Sequence, residues 1–170
     1  MLDEPRPNGP KYEDDFYAWT QHQAQVLRSL HTRDDRFDRD NLVEEIESLG
    51  RSERDAVRSQ VRRILLHLLK LAHSPARDPR SDWMGSIIDA RAEIENKLSP
   101  SLRRDAEERL ARLYVLARKQ AALDLLKHHE DEAARSLPTE CPYTLDQILT
   151  EDWHPEPVAS TKGESHDQSA

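Results

Sequence analysis

The sequence predicts an all-α protein: a helical bundle of four main helices, one of them long, plus a short C-terminal helix. Glycine is scarce, with 4 in 170 residues, and runs of β-branched or aromatic residues are absent. Apolar residues instead recur every three or four positions, the spacing of a helix with one buried face. A charged fraction of 34% would suit a disordered chain if spread evenly, but this periodicity indicates a packed single domain.

The N-terminal end is predicted to be a loose tail followed by the first helix. Residues 1–11 contain three prolines and a glycine and are expected to be flexible. Helix 1 is expected over residues 12–30, with acidic side chains in its first turn, where the helix dipole favours them. Its expected buried face carries Tyr12, Phe16, Trp19, Val26, Leu27 and Leu30. The bundle domain as a whole is predicted to span residues 12–153.

Helix 2, the longest helical pattern, is expected over residues 41–73 and is the predicted centre of the bundle. Its apolar face consists of Leu42, Ile46, Leu49, Val57, Val61, Ile64, Leu65, Leu68 and Leu71. Gly50 leaves two alternatives open. It could cap a first helix, with Ser52 and Asp55 beginning a second, or one long helix could accept it at a cost of about 1 kcal/mol. The apolar face keeps its phase across Gly50, which favours one helix that ends before Pro75.

Two more long helices are predicted after a proline-containing turn. Helix 3 is expected to begin near Ser81 and to direct one face inward: Trp83, Ile87, Ala90, Ile94 and Leu98. Ser99 can cap the following helix, and Pro100 is suited to its first turn. Helix 4 is expected over residues 100–130.

A short element and a tail complete the predicted chain. Thr144 and Gln147 have the spacing of a capping box, which predicts a short helix ending near residue 150. Trp153 is expected to close over the bundle. Residues 154–170 are rich in Pro, Ser and Glu and are predicted to form a disordered tail.

Charge is unevenly distributed along the chain, whose net charge is -8. Residues 1–50 carry 12 acidic and 6 basic side chains, residues 51–127 carry 11 and 17, and residues 128–170 carry 10 and 2. A basic middle is therefore flanked by acidic ends. The middle could offer a surface to an acidic partner, or the ends could pack over it and neutralise it.

The cysteine content and the N-terminal residues indicate a cytoplasmic protein. The single cysteine, Cys141, excludes an intramolecular disulfide and suits a reducing compartment. The first residues lack the basic-then-apolar pattern of a signal sequence, and no apolar run approaches membrane-spanning length. We therefore expect no membrane partner. Cys141 also lacks a clear activating base, so a packed side chain is expected there rather than a nucleophile.

Four stretches of the sequence together resemble a known family. They are YEDDFYAW (residues 12–19), a region of residues 41–54 built around EEIESLG, HLLK (residues 67–70) and ECPYTLDQIL (residues 140–149). As a set they are similar to the bacterial domain-of-unknown-function family numbered twenty-nine, over about residues 12–153. The resemblance implies an all-helical domain and carries no activity or substrate. Similar proteins often have an acidic residue and a threonine near the position of Asp124, and this chain lacks the threonine.

A metal site between two helices is the most specific enzyme-like hypothesis. Bundles hold metals with inward carboxylates and imidazoles on facing helices. The candidate ligands of a divalent transition metal are His67 on helix 2 with Asp124 and His128 on helix 4. Glu44 and Glu45 lie about 30 Å from His67 if helix 2 is unbroken, too far to share its ion. The favoured alternative is a histidine bonded to a carboxylate or the backbone, with no cofactor.

Four arginines on helix 2 form a second candidate site, which we name the Arg stripe. Its members step by threes and fours: Arg51, Arg54, Arg58 and Arg62. Guanidinium groups suit phosphates and carboxylates, so the Arg stripe could contact an acidic protein or a nucleic-acid backbone. The sequence lacks interleaved aromatic residues and a recognition-helix motif, which disfavours nucleic acid. The alternative is a solvated face whose arginines pair with nearby acids such as Glu47 and Asp55.

The sequence does not determine a biochemical function, and it favours a non-catalytic protein over an enzyme. The N-terminal aromatics are too many for one narrow stripe, and some could form an interface. A long helix 2 would project beyond a short bundle, which makes a homodimer a candidate. The leading interpretation is a protein that acts through contacts with an unknown protein partner. The alternatives are a metal-binding bundle or metal-dependent enzyme using helices 2 and 4, and a weak binder of nucleic acid or an acidic protein through the Arg stripe.

Overall fold

A computed structural model of the chain describes residues 9–34 and 36–158, and within them every regular element is a helix. The helices are α1 (Phe16–Ser29), α2 (Arg39–His73), α3 (Arg80–Glu95), α4 (Pro100–Lys127), α5 (Asp131–Ser136) and α6 (Leu145–Leu149). The predicted all-α class is confirmed. The predicted set of four main helices and one short helix is not confirmed, because α5 is an additional short helix. Residues 1–8 and 159–170 of the two predicted tails lie outside the described residues.

Helix α2 is the axis of the molecule and runs unbroken through Gly50, so the prediction of one continuous helix is confirmed. Its 35 residues correspond to a length of about 52 Å. It begins where the Asp38 carboxylate accepts a hydrogen bond from the Asn41 N–H, at 3.3 Å. It ends at His73, because the following residues lead into Pro75 in extended conformation.

Gly50 is a point of close approach between α2 and α1. A Cβ at this position would overlap the Oγ1 of Thr20 and would lie 3.2 Å from the Cβ of Thr20. Thr20 is fully buried, and its hydroxyl donates to the carbonyl of Tyr17 at 2.7 Å. The glycine is therefore explained by packing between two helices rather than by a helix end.

The other long helices pack on different halves of α2. On the N-terminal half, α1 runs antiparallel to α2, and Arg28 pairs with Glu47 at 2.7 Å. On the C-terminal half, α4 runs parallel to α2, with ion pairs from Arg58 to Asp105 and further along from Lys70 to Asp124. Helix α3 also packs on α2. The buried core is built mainly from residues of α2, α3 and α4.

The outer end of the α1–α2 hairpin is less covered than the sequence indicated. The exposed fractions of Val26 and Leu30 are 44% and 45%, and those of Leu42 and Leu49 are 42% and 53%. Placing these four on buried faces was wrong. Helix α1 packs mainly on α2 and has few contacts with α4. The outer sides of α1 and of the N-terminal half of α2 are therefore not covered by a third helix of the described residues.

The predicted start of helix 1 was also wrong, because Asp15 ends the preceding loop and caps α1 at Phe16. Its carboxylate accepts from the N–H of Ala18 at 2.9 Å and from the N–H of Ser101 at 2.9 Å, at the first turn of α4. The hydroxyls of Ser99 and Ser101 also donate to it. Burial alone would raise the pKa of Asp15, but these hydrogen bonds outweigh it and hold the pKa below its usual value. One carboxylate thus joins the N-termini of two helices.

The C-terminal elements close over the bundle. Helix α4 ends at Lys127, earlier than predicted, because His129 has a φ of 61° and the N–H of Glu130 returns to the carbonyl of Leu125. The predicted capping box of Thr144 and Gln147 is confirmed at the start of α6. The Tyr114 hydroxyl donates to the Pro138 carbonyl at 2.6 Å and so ties the connecting loop to α4.

The last described residues continue along the bundle surface. The N–H of Val158 donates to the carbonyl of Ala72 at 2.8 Å, at the end of α2. Within the described ranges, the helices do not combine the length and the apolar character that crossing a lipid bilayer requires.

Candidate functional site

A polar cluster lies between α2 and α4, at two of the three predicted metal ligands. Lys70 forms an ion pair with Asp124, and its ammonium group lies 5.7 Å from the centre of the Trp83 ring on α3. The amide of Gln120 donates to Asp124 at 2.9 Å. Burial would raise the pKa of Asp124, but the bonds from Lys70 and Gln120 outweigh it and lower the pKa. The carboxylate is therefore an ionised partner of Lys70.

His67 belongs to the same cluster and is neutral at pH 7. Burial, together with the positive charges of Lys70 and Arg63, lowers its pKa from 6.5 to about 4, although the charge of Asp124 opposes this change. Its Nδ1 is buried and has no hydrogen-bond partner among the described residues. A neutral imidazole of this kind could hold a metal or a hydrogen-bond donor.

The predicted metal ligands are not brought together as a set of three. His128 is the exposed C-cap of α4. Among residues 9–34 and 36–158, groups of three or more His, Cys, Asp or Glu side chains with the geometry of a metal site do not occur. Glu44 and Glu45 are exposed, and because α2 is unbroken they lie as far from His67 as predicted. The metal site stays a prediction, and the cluster as folded is an ion pair beside a neutral imidazole.

The lowered pKa of His67 predicts that the stability of the protein falls at acidic pH. Because the pKa of folded His67 lies below its ordinary value, the unfolded chain binds that proton more readily between pH 6.5 and pH 4. The contribution of His67 to stability is fully present above pH 6.5 and declines as the pH falls toward 4. After allowance for partial exposure of the ring, we expect a loss of about 1 to 2 kcal/mol, measured by urea unfolding at a series of pH values.

The variant His67→Gln should flatten this decline, and His128→Gln is the matched control on the exposed helix end. Burial also lowers the pKa of His73, so part of the decline should remain in His67→Gln. An unchanged slope in His67→Gln would show that this histidine is not buried in the neutral form.

The Arg stripe is largely engaged by partners within the chain. Arg58 forms a bidentate ion pair with Asp105 of α4, in which its Nε lies 2.7 Å from a carboxylate oxygen. Arg51 lies 3.7 Å from Glu47, and Arg54 pairs with Asp55 at 3.1 Å. Arg62 is exposed. The side chains of Arg54 and Arg58 are each only 23% exposed. The Arg stripe is therefore not one open basic face.

Cys141 has the packed environment that the sequence predicted. Its thiol is half-buried, donates to the carbonyl of Tyr143 at 3.3 Å and lies against the core. Burial raises the pKa of Cys141, which disfavours the thiolate that a nucleophile or metal ligand requires.

Arg91 is the most informative polar residue that the sequence reasoning missed. It is 7% exposed on α3, and its guanidinium donates to three backbone carbonyls: Ile148, Glu151 and Trp153. Trp153 also packs edge-to-face on Tyr143, at 5.4 Å between ring centres. The signal was available, because position 91 falls four residues after Ile87 and three before Ile94, on the apolar face of the helix. Arg91 holds the C-terminal segment on α3.

A groove beside α3 is a concave surface that the described residues form and that a partner could occupy; we name it the α3 groove. Its apolar end has a volume of about 290 Å³ and contains Ile88, Ile94, Leu98 and Leu149, with Arg91, Arg103, Glu95 and Glu151 around them. Its acidic end has a volume of about 610 Å³ and contains Tyr12, Phe16, Glu13, Asp14, Glu53 and Lys97. Glu95 and Leu98 line both ends, so the two form one surface.

The fold and these surfaces define an all-helical domain. Its buried and half-buried charged groups, such as Arg58, Lys70 and Arg91, mostly bind other groups of the same chain. The model of a family described as "Domain of unknown function DUF29" matches residues 11–154. The chain belongs to this DUF29 family, as the resemblance of its motifs indicated.

One solved structure is similar over most of its length. It is an alpha-helical protein of unknown function from Rhodospirillum rubrum, with 26% sequence identity and a TM-score of 0.75. The match covers 85% of this chain and 92% of that one. No curated protein matches the chain. Neither the family nor the structural relative has an assigned function, so membership establishes the fold and leaves the function undetermined.

Proposed function

We propose that this protein is a non-catalytic helical domain that acts through protein–protein contact, and that the α3 groove receives a positively charged, amphipathic segment of its partner. The observation that carries the proposal is a groove with an apolar floor and three acidic side chains that form no ion pair with other described residues, while each basic side chain that lines it already has a hydrogen-bond or ion-pair partner within the chain.

The apolar part of the groove supplies a place for hydrophobic side chains. Ile88 is 56% exposed on α3, and Leu98 and Leu149 are half-buried beside it. Burying apolar surface of this kind contributes about 25 cal/mol per Å² before the costs of association. Apolar anchors seated in a groove with a polar rim are typical of helix and peptide recognition.

The charges around the groove favour a basic partner. Each basic side chain that lines it already has a partner within the chain: Arg91 binds three carbonyls, Arg103 pairs with Asp146, and Lys97 pairs with Glu53 at 3.0 Å. Glu13, Glu95 and Glu151 form no ion pair with other described residues. The groove therefore offers negative charge to an incoming segment, which steers positively charged partners toward it.

The aromatic residues at the acidic end agree with this choice of partner. Tyr12 is 54% exposed and packs edge-to-face on Phe16, with 5.2 Å between ring centres. Exposed aromatic faces beside carboxylates attract Lys and Arg side chains through cation–π contacts. The acidic end thus suits the basic residues of a segment whose apolar residues occupy the other end.

The test is the binding of a synthetic helical peptide of about 14 residues, with leucines on one face and lysines on the flanks. Fluorescence anisotropy should detect binding to the wild-type protein. The double variant Ile88→Ser with Glu95→Lys should weaken that binding at least tenfold, because it removes the exposed anchor and reverses a charge of the rim. A peptide with glutamates in place of the lysines should not bind.

The matched control is Glu44→Lys, which makes the same charge change at an exposed acid on α2, away from the groove. It should leave the affinity within about twofold, since a distant surface charge is screened. Equal weakening by Glu44→Lys would mean that the peptide responds only to net charge. Wild-type affinity in the double variant would also contradict the proposal.

Two other functions have less support. The first is metal binding, since the neutral imidazole of His67 lies beside the carboxylate of Asp124. That carboxylate, however, already forms an ion pair with Lys70. Elemental analysis of protein purified without chelator tests this alternative. About one divalent transition metal per chain would favour a metal-binding function over peptide binding in the α3 groove. Binding of nucleic acid or an acidic protein through the Arg stripe is disfavoured because Arg58 and Arg54 already pair with Asp105 and Asp55.

We also propose that the protein works in the cytoplasm. The support is Cys141, a half-buried thiol whose environment suits a reducing compartment. A bacterial origin agrees with the structural relative from Rhodospirillum rubrum.

A further inference from the structure

Two exposed apolar stripes remain on the surface outside the α3 groove. The first, the α2 stripe, consists of Leu42, Glu45 and Leu49, spaced by three and four residues on the outer side of the hairpin. Its two leucines are 42% and 53% exposed, and Glu45 between them is exposed. This spacing is that of the seam by which one helix packs along another.

The second surface, the α4 stripe, has the same spacing with the opposite charge at its centre. It consists of Leu116, Lys119, Leu123 and Leu126. The leucines are 42%, 63% and 46% exposed, and Lys119 is exposed. Leu123 has the largest exposed fraction of the apolar side chains described as exposed. Large apolar side chains in a continuous exposed stripe are a mark of an interaction surface.

The two stripes cannot meet within one chain. The pair of Lys70 with Asp124 places the α4 stripe beside the C-terminal half of α2. The α2 stripe lies more than 20 residues earlier on the same rigid helix, a separation of about 30 Å. A helix that covers either stripe would therefore have to come from another molecule.

The charges decide which partner fits. Pairing two copies of the α4 stripe would bring Lys119 against apolar or like-charged groups, and pairing two α2 stripes would do the same with Glu45. Pairing the α2 stripe of one copy with the α4 stripe of another places leucines against leucines and allows Glu45 to face Lys119. The wider distribution agrees, because the α2 stripe belongs to the acidic residues 1–50 and the α4 stripe to the basic residues 51–127.

We propose that two copies of this chain associate by packing the α2 stripe of one copy against the α4 stripe of the other. Each copy carries both stripes, so the contact can occur twice in a closed dimer. The surface is separate from the α3 groove, and the inference does not depend on the function proposed for that groove.

The experiment is sedimentation of the full chain between about 1 and 100 µM, a range that suits a small interface. The wild type should form a dimer. Glu45→Lys alone and Lys119→Glu alone should each weaken association at least tenfold, because each puts like charges opposite one another. The chain with both substitutions should recover wild-type association, and so should an equal mixture of the two single variants, in which each lysine meets a glutamate.

Two controls separate this surface from general charge effects. Glu44→Lys changes an exposed neighbour of Glu45 that lies about 100° away around α2, outside the α2 stripe, and should leave the dimer intact. Leu123→Asp should produce monomers. A wild type that stays monomeric at 100 µM, single reversals without effect, or failure of the doubly reversed chain to recover would each overturn the proposal.

Discussion

Replacing Arg91 by alanine is expected to lower the free energy of unfolding by about 3 kcal/mol, the larger of two effects that we expect from single substitutions. The guanidinium is 7% exposed and satisfies the carbonyls of Ile148, Glu151 and Trp153. Alanine would leave these buried or half-buried acceptors without a donor. Burial lowers the pKa of Arg91, while the charges of Asp152 and Glu151 oppose that change, and the group remains a charged donor.

Urea unfolding, followed by tryptophan fluorescence, measures this effect. Arg77→Ala, at an exposed arginine before α3, is the control and should change stability by less than about 0.5 kcal/mol. Arg91→Lys should recover only part of the loss, because an ammonium group lacks the planar fork that reaches three carbonyls. A loss below about 1 kcal/mol in Arg91→Ala would mean that the C-terminal segment is held mainly by its apolar side chains.

Gly50→Ala is expected to destabilise the protein by about 2 kcal/mol, although alanine is the better helix former. The new Cβ would overlap the hydroxyl of Thr20 and lie 3.1 Å from the amide of Gln21. Thr20 can move its hydroxyl only by rotating its side chain, which breaks its bond to the carbonyl of Tyr17. The overlap therefore separates α1 from α2 or strains the buried threonine.

Gly85 supplies a matched control in the same protein. It also lies inside a helix, but a Cβ there would meet no atom within 4 Å. Gly85→Ala should therefore stabilise the protein by up to about 1 kcal/mol. In a Thr20→Ala background, Gly50→Ala should lose most of its effect, which a double-mutant cycle in urea measures. Destabilisation of the same size in both backgrounds would show that the contact with Thr20 is not its cause.

Local patterns predicted most of the helices, and the reasons are visible in particular residues. The phase of the apolar face across Gly50 predicted one continuous α2, and Thr144 with Gln147 predicted the start of α6. These signals act within a few residues along the chain, so the sequence displays them directly. Helix α5 was missed because it depends on His129 adopting a left-handed conformation, which is uncommon for a residue other than glycine.

Exposure could not be predicted in the same way. Periodicity shows that Leu42 and Leu49 share a side of α2, but it does not show whether another helix covers that side. The answer depends on how far α1 and α4 extend along α2, which is a property of the whole fold. The exposed α2 stripe and α4 stripe therefore became evident only from the structure.

The candidate polar site was predicted in part. His67 and Asp124 do lie near each other between α2 and α4, as expected from their places on the two helices. Lys70 was not foreseen as the partner of Asp124, because the pairing depends on the relative shift of two helices that the sequence does not display. Arg91 was overlooked for a related reason, since its acceptors are carbonyls about 60 residues away.

The most direct test of the proposed function is to map where the Leu/Lys peptide binds, using amide chemical shifts of the isotope-labelled protein. If the α3 groove receives the peptide, the largest changes should fall on Ile88, Glu95, Leu98 and Leu149 and on their neighbours. They should disappear in the double variant Ile88→Ser with Glu95→Lys. Changes centred on the α2 stripe, or spread evenly over the acidic surface, would contradict the assignment of the groove as the binding surface.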